Sequence, residues 1–121
     1  MDELIGRLVA NVGVDRTAAQ KAVGIILQFL LKEGPADKVQ ALIDKLPDAD
    51  AAIQSAPPDP NSGGMFGGGV MGAGTRMMAA GLSMGQVQAV TRETIGFARE
   101  KVGEDAVGEI VGAIPGLGQF V

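Results

Sequence analysis

Slid along itself by 68 residues, so that Gly13 falls on Gly81, the chain aligns without a gap from Gly13–Ile53 onto Gly81–Val121. The shift pairs Gln20 with Gln88, Phe29 with Phe97, Asp37 with Asp105, Val39 with Val107 and Pro47 with Pro115. Between these identities the apolar character agrees at Val14/Leu82, Ala22/Val90, Leu27/Ile95, Leu42/Ile110 and Leu46/Ile114. A duplication constrains architecture because each copy is one supersecondary unit that must bury its apolar face, most simply against the other copy. Residues 1–55 are therefore expected to form a first three-helix repeat, 56–69 a Pro/Gly-rich linker and 70–121 a second three-helix repeat.

Spacing within the copies predicts the helices. Leu4, Ile5, Leu8, Val9 and Val12 recur at helical intervals, so helix one should run from Asp2 to about Val12 and stop at Gly13. Asp15 reads as the N-cap of helix two, and Ser83 takes the same place in the second copy, where Gln86 completes a capping box. Val14 and Leu82, just ahead of the caps, stand five residues before Ala19 and Val87, the spacing of a hydrophobic staple. Helix two should span Arg16–Glu33 and about Met84–Lys101, with a shared core stripe at 19/87, 22/90, 26/94, 29/97 and 30/98. Helix three follows near Pro35–Leu46 and Gly103–Ile114, each ended by a proline. The shift places the second helix one at Val70–Ala80, where each glycine costs about 1 kcal/mol relative to alanine. The expected fold is all-α: two pseudo-symmetric three-helix repeats packed as one small domain.

Composition then removes most chemistry. The 121 residues include no histidine, cysteine, tryptophan or tyrosine, so imidazole acid/base work, thiolate attack and the usual zinc ligand sets are all excluded. No catalytic residue, cofactor or metal is expected. The acids Asp44, Asp48 and Asp50 lack the glycine and terminal glutamate of a calcium loop and read as a solvated helix end. Net charge is −4, with both halves mildly acidic, and no basic footprint for nucleic acid is present. The N-terminal Met1-Asp2-Glu3 does not resemble a secretory signal, so a cytoplasmic protein is expected.

What remains is surface. Ile25 and Leu31 of the first copy correspond to Glu93 and Arg99 of the second, so one helix two carries an extra apolar face that needs either an internal cover or a second subunit. Gly64, Gly68 and Gly72 recur every four residues, a ridge suited to close helix contact, although a flexible linker explains them as well. From Pro60 to Thr91 the only charge is Arg76, and the segment holds Met65, Met71, Met77, Met78 and Met84. Low charge with methionine suggests an adaptable apolar surface, while the helical spacing of Met77, Met78 and Met84 also fits core positions. The expected function is thus a non-catalytic protein-interaction or self-association module, with an unknown protein partner or a homo-oligomer, offering Ile25, Leu31, Gly64, Gly68, Gly72, Met71 and Met78 as candidate surface. Peripheral membrane association through residues 63–84 is the alternative; a spanning helix is disfavoured because glycines and Arg76 interrupt the run.

With the repeat, the Asp15/Ser83 caps, the central Phe29 and Phe97, and the closing Lys45-Leu46-Pro47 and Ala113-Ile114-Pro115 in view, the chain resembles the small bacterial helical proteins of domain-of-unknown-function family 2267, in the style of the YidB-like proteins. The resemblance covers most of the chain outside the linker. It implies tandem helical repeats, each similar to a homeodomain-like three-helix unit, and it brings no activity. DNA binding by such a unit is not expected here, since helix three carries only Lys38 and Lys45 in one copy and no basic residue in the other.

Overall fold

Each copy turns from its first to its second helix at a glycine that takes a positive φ, Gly13 at 88° and Gly81 at 110°. This is backbone that L side chains rarely adopt, and it explains why both copies keep glycine at this point. The computed structural model describes residues 2–46, 49–55, 69–114 and 117–119. Among these are seven α-helices, a 3-10 turn and no strand: α1 (Asp2–Asn11), α2 (Arg16–Glu33), α3 (Ala36–Lys45), α4 (Ala49–Ser55), α5 (Gly69–Ala79), α6 (Met84–Val102), α7 (Glu104–Ala113), then the turn at Leu117–Gln119. The protein is all-α. Helices α3 and α7 start and end 68 residues apart, and α1, α2, α5 and α6 keep that interval to within a residue.

Caps set the boundaries. The Asp15 carboxylate accepts from the Ala18 backbone N–H at 2.7 Å. Ser83 Oγ accepts from the Gln86 N–H at 3.2 Å while the Gln86 side chain accepts from the Ser83 N–H at 2.9 Å, a closed capping box. Val14 and Leu82, which precede the caps, are both buried.

The two long helices lie at the centre. α1 packs against both α2 and α6, and α5 does likewise, so the first helix of each copy bridges its own long helix and that of the other. The stripe of Ala19, Ala22, Ile26, Phe29 and Leu30 is buried, as are its counterparts Val87, Val90, Thr94, Phe97 and Ala98, within a single apolar core drawn from both copies. Leu4, Leu8, Leu27, Leu42, Ile95 and Ile110 are among its largest fully buried aliphatic members. Truncating any of them to alanine should cost about 2–5 kcal/mol.

The copies differ in how their long helices are covered. α4 packs along α2, where Gln20 Nε2 donates to Ser55 Oγ at 3.1 Å and Gln28 Nε2 donates to the Ile53 carbonyl at 2.9 Å. Among the described residues, the second copy has the short 3-10 turn in the place of α4, and it packs on α7. Gln88 and Arg92, the counterparts of Gln20 and Gly24, are accordingly exposed, whereas Gly24 is buried. This accounts for the extra apolar face of the first copy: α2 is covered by α4 and α5 of the same chain, Ile25 is fully buried, and Leu31 is partly buried against the core.

Candidate functional site

The apolar side chains that stay in contact with water mark the place to look. Among the described residues, Val9, Met78 and Met84 are the large apolar side chains that remain exposed, at 37%, 45% and 50%. Met78 and Met84 belong together. They stand on one groove whose floor is Ile26 and Phe29 from α2, Ala73 and Met77 from α5, Val87 from α6 and Leu117 from the 3-10 turn. Local sequence creates the pairing: α5 ends shortly after Met78, the chain reverses through Gly81, and Ser83 caps α6 so that Met84 is its first residue.

The remaining described lining is Gly74, Thr75 and Thr91, so none of the described lining side chains is charged. The Thr91 hydroxyl is turned inward, donating to the Val87 carbonyl at 2.8 Å. The enclosed volume is about 50 Å³. That suits the end of one aliphatic side chain and falls far short of the roughly 300–1,000 Å³ that small-molecule sites enclose.

Charged side chains line cavities elsewhere among the described residues. One, of about 290 Å³, is lined by Lys21, Ser55, Arg76, Ala79 and Ala80. Ser55 and Ala79 end α4 and α5, so these two cations sit beside helix C-termini, whose carbonyls they complement. The other, of about 490 Å³, includes Asp44 and Asp50, with Gln40 donating to Asp44 at 3.2 Å. No group of three potential metal ligands occurs among the described residues.

Charged residues tie the copies together at the surface. Arg7 of α1 pairs with Glu100 of α6 through both guanidinium nitrogens, one at 3.0 Å, and reaches Glu3 at 3.2 Å. The bonded Arg7 holds the Glu100 carboxyl below its ordinary pKa and is itself raised by Glu100. Arg7 and Lys101 both lie over the Phe97 ring, at 5.2 and 5.0 Å from its centre. Lys38 of α3 meets Glu109 of α7 at 2.7 Å, which raises the Lys38 pKa.

The sequence-derived candidates separate on this structure. Ile25 is fully buried and offers no surface, and Leu31 offers little, because helices of the same chain cover α2. Gly72 is buried in α5, which leaves it no exposed ridge to present. Gly64 and Gly68 lie outside the described residues, as do residues 56–68 of the expected linker and the side chain of Met71. Met78 is exposed on the groove, and of the methionines whose spacing suits a core only Met77 is buried. Sequence reasoning missed Ile26, Phe29 and Leu117 as parts of this surface, and no local signal groups these three positions, which come from α2 and the 3-10 turn. Comparison with protein-family models, curated proteins and solved structures finds no match to this chain.

Proposed function

We propose that this protein is a non-catalytic association module that receives an apolar side chain of another polypeptide in the Met78–Met84 groove. The observation that carries the reading is that two large side chains, 45% and 50% exposed, flank one uncharged apolar groove. Exposed apolar surface gathered in one place marks contact sites more often than scattered exposure does. Methionine, flexible and polarisable, suits a surface that must adapt to a partner. No described side chain that lines the groove is titratable, and its hollow of about 50 Å³ is small beside those of small-molecule sites, which favours binding over catalysis. No helix among the described residues is long and apolar enough to cross a membrane. Arrangement of the helices as two homeodomain-like repeats, and kinship with family 2267, belong to this proposal and add no activity to it.

A photoreactive phenylalanine analogue placed at position 84 in cells tests the reading. It should yield an adduct with another polypeptide, and the same analogue at exposed Gln54 on α4 should not. No protein adduct at position 84, or equal adducts at both positions, contradicts it; transfer of label to lipid at 84 would favour a membrane surface instead.

A further inference from the structure

We infer that the occupant of the groove is a second copy of this chain, seated face to face so that Met84 of each copy enters the groove of the other. The inference rests on the association reading above and names its partner. A two-fold contact uses the same patch on both subunits, so the patch must complement itself, protrusion against hollow. This patch carries both. Met84 protrudes from the rim with half of its surface in water, and the hollow beside it, about 50 Å³, is sized for one aliphatic end. An unbranched side chain with three rotatable bonds can turn from its own rim into a facing hollow without moving the backbone.

Charge points the same way. Two copies of a chain with net charge −4 repel one another overall, so the contact that costs least is one that adds no close like-charge pairs. No described residue of the groove lining is charged, so pairing here brings no like charges together. The same lack of charge gives a foreign partner no ionic handle by which to be selected.

The test is the solution mass of the full chain by light scattering over a concentration series into the millimolar range, for the unsubstituted protein, Met84→Glu and Met84→Leu. The mass should climb from 12.3 kDa toward twice that value for the unsubstituted protein and for Met84→Leu. Met84→Glu should weaken pairing at least about tenfold with an unchanged helical circular dichroism spectrum, because a half-exposed glutamate remains solvated in the monomer. A mass fixed at 12.3 kDa throughout overturns the inference, as does a dimer indifferent to Met84→Glu. Should the protein be monomeric while the analogue at position 84 links it to a different polypeptide, self-pairing fails and the association reading stands. Monomer with no adduct removes both.

Discussion

Arg76 donates a hydrogen bond to the side-chain oxygen of Gln28, and the nitrogen of the same amide donates to the Ile53 carbonyl at 2.9 Å. One partly buried glutamine thus fastens α5 and α4 to α2, joining the first helix of one copy to the long helix of the other. Gln28→Leu removes an acceptor and a donor together and takes one hydrogen bond from each of two partly buried groups, a loss of about 1–3 kcal/mol in urea unfolding. Gln40→Ala, which deletes an exposed bond to Asp44 within α3, should stay within about 0.5 kcal/mol.

Glu100 gives the α1–α6 contact a pH dependence. Its folded pKa is lowered from 4.5, first by the hydrogen bond from Arg7, so the pair stabilises the fold fully above that ordinary value. As pH falls through the lower folded value, Glu100 takes up its proton and this contribution disappears. Thermal unfolding of the unsubstituted protein and of Glu100→Gln should show a gap in Tm at pH 7 that narrows below about pH 4.5. A gap that is constant, or widens in acid, contradicts the assignment.

Glycine is required in two different ways. Gly13 has open space around its missing Cβ but a φ of 88°, so Gly13→Ala should cost about 1–2 kcal/mol through backbone conformation alone. Gly34 has an ordinary φ of −92°, yet a Cβ there would lie 2.8 Å from the Leu30 carbonyl oxygen and 3.1 Å from a Val39 methyl. Gly34→Ala should cost about 1–3 kcal/mol by overpacking. An asparagine, which tolerates positive φ, should recover part of the loss at Gly13 and none at Gly34.

Thr94 is buried in α6 with no hydrogen-bond partner for its hydroxyl, whereas Thr91 one turn earlier bonds to Val87. Position 94 corresponds to Ile26 of the first copy, which shows that the stripe accepts a purely apolar side chain. Thr94→Val should therefore stabilise the protein by about 1 kcal/mol, measured by the shift of the denaturation midpoint at constant slope.

Much of the fold was legible because its signals are local. Asp15, Ser83, Gln86 and Gly13 act on backbone groups within a few residues, so they place helix ends wherever the helices later pack. The cover that α4 gives α2 was not legible in this way. α4 is seven residues long and buries Ala49 and Ala52, whose small side chains leave no strong apolar periodicity to read. Met78 and Met84 posed a further difficulty: Met77, Met78 and Met84 look alike in sequence, and only the position of α2 and Leu117 beside them decides that Met77 is inside and the others are at the rim. A groove assembled from residues 26, 29, 73, 87 and 117 is a tertiary object, invisible to any short window.

Methionine oxidation by dilute peroxide reads directly whether the Met78–Met84 surface is open in the single chain and covered on association. Peptide mass spectrometry should find Met78 and Met84 oxidised well before Met77, which is 3% exposed, when the protein is dilute. At high concentration, Met78 and Met84 should become protected together while the rate at Met77 stays low. Rates at Met78 and Met84 that are independent of concentration and of every added protein would contradict it.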